Sequence, residues 1–315
     1  MSAKAIREYR GKKLISYHVK DISNGKHIID DRSVLITSTT NYDLLVEQES
    51  WLLTTPLLVV KPDQLIKRRG KAGLVGIKLN WMEVKEWISQ KMNTEITLES
   101  SNGSNKDGVT GELHTFIVDP YVEHSQQDEY YICIQSDRNG EEILFCKDGG
   151  VDVGDVDTKA KRIHIGIDKV DLLSNELIDA ELLDGVPLER ITELSSFIIT
   201  LFNVYRKLNF TYMEINPIVF SESEDGSTTA TIIPLDLAAK IDETASFLNG
   251  PDWAKPIGGH LDLPAPFGRK EYPEEEYIRE LDSKTGASLK LTVLNEYGRI
   301  WTMVRYVTCF YVVTC

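Results

Sequence analysis

An α/β (α+β) fold is predicted by three features of the sequence: two stretches that read as antiparallel β-hairpins and one long amphipathic helix. The 315 residues suffice for one large domain or two, and 42% hydrophobic residues suffice for a buried core. In chain order, residues 56–60 and 115–118 are short apolar runs that predict buried strands. Residues 99–111 between them are polar and glycine-rich, which predicts a mobile surface loop. Glu129 to Gln135 alternates, Asn139-Gly140 is a turn dipeptide, and Glu142 to Cys146 returns, giving the first hairpin. From Ile191, apolar residues at Leu194, Phe197, Ile198, Leu201, Phe202, Tyr205 and Leu208 recur at three and four, which places them on one face of a helix packed on the sheet. Tyr212 to Phe220 and Thr229 to Leu237 are apolar and β-branched on either side of Asp225-Gly226, giving the second hairpin, centred on Gly226.

Asn249 to Pro273 changes in composition, through Pro251, Pro256, Pro264 and Pro266, to that of a semi-rigid spacer. The expected organisation is therefore a first domain over 1–248, a proline-rich linker over 249–273, the beginning of a second domain over 274–304, and a tail over 305–315. Within the second domain, Ala287 to Leu294 and Arg299 to Val304 are expected strands joined by Asn295-Glu296-Tyr297-Gly298.

The second hairpin carries chemistry. With its centre at Gly226, Asn216 of Glu214-Ile215-Asn216-Pro217 faces Asp236 of Leu235-Asp236-Leu237-Ala238-Ala239-Lys240. Directly opposed residues hold their Cβ atoms roughly 4.5–5.5 Å apart, near enough for an amide oxygen and a carboxylate to share one hard cation. Magnesium suits such a pair, because it takes one or two protein oxygens and completes its shell with water and phosphate. The alternative is that Asn216-Pro217 ends a strand and Asp236 caps the next element, since a one-residue slip sends one side chain to the other face.

Upstream, Val59-Val60-Lys61-Pro62 ends a strand and leads to Lys67-Arg68-Arg69-Gly70-Lys71-Ala72-Gly73-Leu74-Val75-Gly76. Glycines let backbone amides close on an anion, and lysines and arginines make charge-assisted contacts to phosphate oxygens. The alternatives are a solvated basic loop or a nucleic-acid patch. A formal net charge of −14 argues against nucleic acid, whose binding depends on cationic neutralisation of the backbone, and favours a small anionic ligand. The order of a Walker loop is absent. Gly149-Gly150-Val151-Asp152-Val153-Gly154-Asp155-Val156-Asp157 lacks the glycine and glutamate positions of a calcium loop and is expected to be a tight acidic turn beside the pocket.

Residues 1–20 carry charges with no apolar run behind them, so neither a signal peptide nor a membrane anchor is predicted, and a cytosolic location is expected. Cys133, Cys146, Cys309 and Cys315 have no metal-ligand spacing and are assigned no chemistry.

Val60-Lys61-Pro62-Asp63-Gln64-Leu65-Ile66-Lys67-Arg68-Arg69-Gly70-Lys71, the Gly149 to Asp157 segment, Tyr272-Pro273-Glu274-Glu275 and Gly286-Ala287-Ser288-Leu289-Lys290-Leu291, in this order, resemble the amino-terminal part of the animal ATP-citrate lyase (ATP-citrate synthase) family. The likeness runs from residue 1 to about 304, is looser near 16–50, and has small insertions around 100–110 and 221–230. It implies an ATP-grasp fold related to the β subunit of succinyl-CoA synthetase, with two α+β subdomains clamping ATP, followed by the start of a citrate-binding sheet domain. Residue by residue, Lys61, Arg69 and Gly70 match positions that hold the nucleotide phosphates. Pro120, Val122 and Glu129 match the adenosine side, with Glu129 as ribose acceptor. Asn216 and Asp236 match paired magnesium ligands, and Asp282, Thr285 and Ala287 match a further metal-associated turn, where Thr285 replaces the usual serine.

The resemblance further implies ATP and Mg²⁺ as cofactors, and cleavage of citrate with coenzyme A to acetyl-CoA and oxaloacetate, supplying lipid synthesis. In the family a catalytic histidine far downstream accepts the phosphoryl group, and none of the six histidines here lies in such a context. Arg305 to Cys315 departs from the family pattern and is too short to span a bilayer, which takes about 20 residues. It would expose an apolar edge if unpaired. A truncated lyase is therefore expected, incomplete for the full reaction alone and able to join full-length subunits. The alternatives are a non-catalytic ATP-binding isoform of the lyase and a succinyl-CoA-synthetase-like β subunit whose partner supplies the histidine.

Overall fold

The computed structural model describes residues 2–98, 108–150, 156–221, 230–269, 272–285, 289–304 and 310–314. Most of the expected 99–111 loop, the Asp225-Gly226 turn, residues 151–155 of the acidic turn and residues 305–309 and 315 of the tail lie outside the described residues. The chain forms two compact units, Met1–Gly268 and Arg269–Cys315.

The first unit opens with β1 (Ala3–Ile6), α1 (Glu8–Ile22), β2 (Ile28–Ile29), β3 (Val34–Thr37), α2 (Tyr42–Gln48), α3 (Trp51–Thr54) and β4 (Leu58–Pro62). It continues with β5 (Gly76–Leu79), α4 (Trp81–Lys91), β6 (Glu95–Leu98), β7 (Val109–Glu112), β8 (Thr115–Pro120), β9 (Tyr130–Ser136) and β10 (Gly140–Cys146). After these come α5 (Val156–Lys159), β11 (Lys161–Gly166), α6 (Asn175–Glu181), α7 (Leu188–Lys207), β12 (Phe210–Ser221), β13 (Thr231–Pro234), β14 (Leu237–Asp242) and α8 (Ser246–Ala254).

Two sheets organise this unit, each with its own core. A four-stranded sheet in the order β3-β8-β4-β5 packs against α4 through Val84 and Ile88. The Asn80 side chain and Glu83 close a reciprocal capping box at the start of α4, an Asn-x-x-Glu signal that is readable in sequence. A larger sheet runs β1-β14-β12-β9-β10-β11, with β13 and β2 beside β12. Leu14, Ile15 and Val19 of α1 belong to its core, together with Leu194, Phe197, Ile198, Leu201, Phe202 and Tyr205 of α7. The expected stripe on α7 is thus buried, and the helix begins three residues before Ile191. Of the four cysteines, Cys133 and Cys146 are described, and both are buried and in no disulfide.

Both expected hairpins form. β9 and β10 pair antiparallel with Ile134 opposite Ile143. The return arm of the second hairpin differs from one continuous strand: β13 pairs with the end of β12 and β14 with its beginning, and the break falls at Leu235-Asp236. On its other edge β12 pairs with β9, and the register shifts between Ile215 and Ile218. Asn216-Pro217, joined by a cis peptide bond, therefore sits in a bulge opposite the break.

The segment expected as a linker begins as part of the first unit. Asn249 donates to the Lys207 carbonyl at 2.8 Å and the Trp253 indole to the Leu208 carbonyl at 3.0 Å. These are carbonyls at the C-terminal end of α7, where the helix itself supplies no donor. The unit extends to residue 268, inside the 249–273 stretch.

The second unit contains α9 (Pro273–Thr285), β15 (Ile300–Val304) and β16 (Phe310–Thr314). The expected strand Ala287 to Leu294 is corrected: residues 286–288 lie outside the described residues and 289–294 are irregular. Carboxylates of α9 take the backbone donors that a ladder would need, Asp282 from Leu289 at 2.7 Å and Glu275 from Val293 at 2.7 Å. The strand expected at 299–304 is present as β15, and β16 of the divergent tail pairs with it, Ile300 opposite Thr314. Among the described residues no helix is long and apolar enough to cross a membrane.

Trp253 is 3% exposed and its neighbour on α8, Phe247, is 80% exposed. We expect Trp253→Ala to lower the unfolding free energy by about 3–5 kcal/mol in urea titration and Phe247→Ser to change it by less than about 0.5 kcal/mol. Equal, small effects would show that this segment is not part of the first unit's core.

Candidate functional site

The N-terminus of α1 meets the end of β4 and the break in the second hairpin. The first two helical amides, of Glu8 and Tyr9, donate to the Asp63 carboxylate at 2.8 and 3.2 Å. Asp63 thus caps the helix from a distant strand, doing for α1 what a local N-cap side chain ordinarily does. This capping aims Glu8 inward, where its side chain is 3% exposed.

Around Glu8 three cations converge. Oε1 lies 2.7 Å from Lys61 Nζ and 2.9 Å from Lys12 Nζ, and Oε2 lies 2.6 Å from an Arg69 guanidinium nitrogen. Lys12 also bonds Asp119 at 2.8 Å, Lys61 donates to the Leu235 carbonyl at 2.6 Å, and Arg69 donates to the Pro62 carbonyl at 2.8 Å. The same guanidinium reaches Asp236 Oδ1. One buried carboxylate thereby ties the first helix, the four-stranded sheet and the second hairpin together.

The electrostatics follow from that crowding. Burial works to raise the Glu8 carboxyl, but Lys12, Lys61 and Arg69 outweigh it and hold it well below its ordinary value. Burial opposes the charges of Lys12 and Arg69, yet the carboxylates facing them raise both above their ordinary values. Asp63 goes the other way: burial, reinforced by the Glu8 charge, pushes it up to about 6 despite Arg69, Arg7 and the Tyr9 amide.

Asn216 and Asp236 are opposed as the hairpin centre predicts. Ile215 pairs with Leu237 and Ile218 with Pro234 along one uninterrupted register, and the Asn216 amide donates to the Asp236 carbonyl at 3.2 Å. Asn216 Oδ1 accepts from the Gly150 amide at 2.8 Å, which leaves this oxygen a second lone pair. The Asp236 side chain is 48% exposed. Among the described residues no three His, Cys, Asp or Glu side chains converge to hold a metal by themselves. Magnesium does not need such a cage: one carboxylate and one amide oxygen fit a cation that draws its remaining ligands from water and phosphate.

From Asn216 the contacts run on. Gly150 has φ +93° and lies so close to Glu129 Oε2 that any Cβ there would collide, and the Gly149 amide donates to the Glu129 carbonyl at 2.7 Å. Glu129 Oε1 meets His124 Nε2 at 2.9 Å, and His124 Nδ1 donates to the Val122 carbonyl at 2.8 Å. Arg69, Asp236, Asn216, Gly150, Glu129, His124 and Val122 thus form one continuous line of contacts, and Lys61 joins Arg69 on Glu8. Pro120 ends β8, opposite Leu58.

Of the basic island, Arg69 alone turns inward. Lys67, Arg68, Gly70 and Lys71 are exposed, and the space around Gly70 is open. Asp282 and Thr285 belong to the second unit, at the end of α9, and Ala287 lies outside the described residues. Glu8, Lys12, Asp63, Asp119 and His124 were not singled out by sequence reasoning. Glu8 and Lys12 read in sequence as an ordinary surface pair four residues apart on a helix. Their burial follows from partners more than 50 residues away in the chain, which no local pattern reveals.

Comparison with known proteins bears on this arrangement. A family model described as the ATP-citrate synthase ATP-grasp domain matches residues 2–253, and one described as ATP citrate lyase citrate-binding matches residues 269–307. The chain is 45% identical to the ATP-citrate synthase of Homo sapiens over 304 residues, 96% of this chain and 25% of that protein. It is 38% identical to the probable ATP-citrate synthase subunit 2 of Schizosaccharomyces pombe, covering 96% of this chain and 69% of that one. A solved structure of ATP citrate lyase from Methanothrix soehngenii, in complex with citrate and coenzyme A, superposes with a TM-score of 0.76 at 36% identity, covering 96% of this chain and 65% of that chain. The chain spans about a quarter of the length of its animal relatives, 26% of that of Bos taurus.

Two measurements probe the buried network. Glu8→Gln leaves three cations facing one another, so we expect a loss of about 3–5 kcal/mol of folding stability in urea titration, against less than about 0.5 kcal/mol for Lys67→Gln at an exposed position; similar small losses would contradict it. Because Asp63 is raised from 3.8 to about 6, the folded chain keeps a proton that the unfolded chain releases across that window. The contribution of this group to stability therefore falls as pH rises from about 4 to 6, by up to about 3 kcal/mol. The stability of the parent relative to Asp63→Asn should decline across that range, and a flat or rising difference would contradict it.

Proposed function

The chain belongs to the ATP-citrate synthase family, and on that premise we propose that its first unit binds Mg-ATP along the line from Lys61 and Arg69 through Asn216 and Asp236 to Glu129 and Val122. In this reading the bound nucleotide is the phosphoryl donor for an ATP- and coenzyme-A-dependent cleavage of citrate to acetyl-CoA and oxaloacetate. The second unit would take part on the citrate side, and the remaining steps would require the further length present in the relatives. The setting we assign is the cytosol, and the route served is acetyl-CoA supply for lipid synthesis.

One observation carries the nucleotide reading: Arg69, Asp236 and Asn216 are brought side by side from segments far apart in sequence, at the end of a strand that also presents Lys61. Such a cluster of cations beside a carboxylate and an amide matches the needs of a magnesium triphosphate, whose phosphates want positive charge and whose metal wants oxygen. The backbone supports it, since Asn216 and Asp236 stay opposed across the hairpin while the bulge on the β9 edge falls at Asn216-Pro217.

The roles then divide by chemistry. Asn216 and Asp236 would hold the magnesium ion, which when bound would neutralise negative charge on the phosphates. Lys61 and Arg69 would offset charge developing on the transferred γ-phosphoryl group. Arg69 is suited to this because Glu8 and the Pro62 carbonyl keep it in place while its contact with Asp236 is exchanged for phosphate. Gly149 and Gly150 would bring backbone close to the ribose side, where Glu129 accepts from hydroxyls. Catalysis on this part is positioning and electrostatics, and it asks no side-chain nucleophile of these residues.

Asp236→Asn should weaken Mg-ATP binding by tenfold or more, about 1.4 kcal/mol, in a calorimetric titration, with little change in the unfolding transition. Equal affinity for variant and parent, or binding that ignores magnesium in both, would count against the proposed site.

A further inference from the structure

His124 lies in the segment between β8 and β9 with its side chain 16% exposed, and it joins two residues that the nucleotide reading treats separately. Its Nδ1 donates to the Val122 carbonyl at 2.8 Å and its Nε2 lies 2.9 Å from Glu129 Oε1. A carbonyl oxygen only accepts, so Nδ1 carries its proton toward Val122 and Nε2 faces the Glu129 carboxyl, one ring bridging the two residues.

The other sides of Glu129 are also closed. Gly150 lies against Oε2 with no room for a Cβ, and the Gly149 amide holds the Glu129 carbonyl at 2.7 Å. A glutamate with three side-chain torsions normally loses rotamer freedom when it binds, and that loss subtracts from affinity. Here the imidazole bond to Oε1, with the Gly150 backbone beside Oε2, restricts that freedom in advance.

We propose that His124 is a positioning residue for ribose recognition: it locks the Glu129 carboxylate to the Val122 backbone, so that the acceptor for the sugar hydroxyls is set at a fixed place relative to the base. The inference rests on the nucleotide reading above and deepens it. The ligand is a nucleoside triphosphate with both ribose hydroxyls, and His124 acts on it through Glu129 without touching it. A site built to pair with a hydroxyl rejects the analogue that lacks it, so the consequence of a fixed Glu129 is discrimination against deoxynucleotides.

The test is calorimetric titration of the full chain and of His124→Ala and His124→Gln with Mg-ATP, Mg-2′-deoxy-ATP and Mg-3′-deoxy-ATP, with thermal unfolding as the control for folding. The parent should prefer ATP over at least one deoxy analogue by about tenfold, the scale of a hydrogen bond to a charged group. His124→Ala should lose about tenfold for ATP and less than twofold for that analogue, so that the preference collapses. A glutamine side-chain amide can still donate to the carboxylate, so His124→Gln should retain an intermediate preference. A preference left intact in His124→Ala, an equal loss for all three nucleotides, or no ribose preference in the parent would overturn the inference while ATP binding itself stands. No nucleotide binding by the parent would overturn the underlying reading and this inference with it.

Discussion

The burial of one carboxylate among three cations is the constraint on which the first unit depends. Glu8 sits at the start of a helix whose remaining buried face belongs to the large sheet, yet two of its three charge partners come from elsewhere, Lys61 from the four-stranded sheet and Arg69 from the loop after β4. Removing such a charge from water costs several kcal/mol, and the cost is met only if every partner is in place. The two sheets are therefore held in one arrangement by electrostatics where their separate apolar cores do not reach. Asp63 completes the device by capping the helix that carries Glu8, and it does so at the expense of its own ionisation.

In the proposed reading that arrangement also prepares a ligand site. Arg69 is shared between a buried partner, Glu8, and a half-exposed one, Asp236. The first contact fixes the guanidinium and the second can be surrendered, which is the asymmetry that an anion-binding arginine needs. Asp236 is likewise placed in a strand break, opposite an asparagine in a bulge, so neither side chain is consumed by regular packing. In the proposed reading the metal side, the phosphate side and the ribose side are parts of one chain of contacts ending at His124 and Val122, and a change at either end is felt along it.

Much of this was legible in sequence, for reasons that differ by element. The opposition of Asn216 and Asp236 follows from hairpin symmetry, because a turn centred on Gly226 dictates every cross-strand pair, and the observed register obeys it. The stripe on α7 was legible because burial on one side of a helix imposes a period of three and four. The division of the return arm into β13 and β14 was not, since a break of two residues leaves no mark in composition. The run from Ala287 to Leu294 looks like a strand by propensity, but two carboxylates of α9 claim its backbone donors, a tertiary effect. The start of the proline-rich stretch has contacts that composition does not show: Asn249 and Trp253 satisfy the end of α7, and such pairing over 40 residues is invisible locally. Glu8 and His124 escaped notice because a lone glutamate and a lone histidine acquire meaning only from their partners.

The most direct test of the account is a crystal structure of the chain with magnesium and a non-hydrolysable ATP analogue. The account predicts a metal ion between Asn216 and Asp236, phosphate oxygens on Lys61 and Arg69, the Arg69–Asp236 contact given up, and the Arg69–Glu8 contact retained. A nucleotide bound elsewhere, or one bound with Arg69 still on Asp236 and no metal at Asn216, would contradict it.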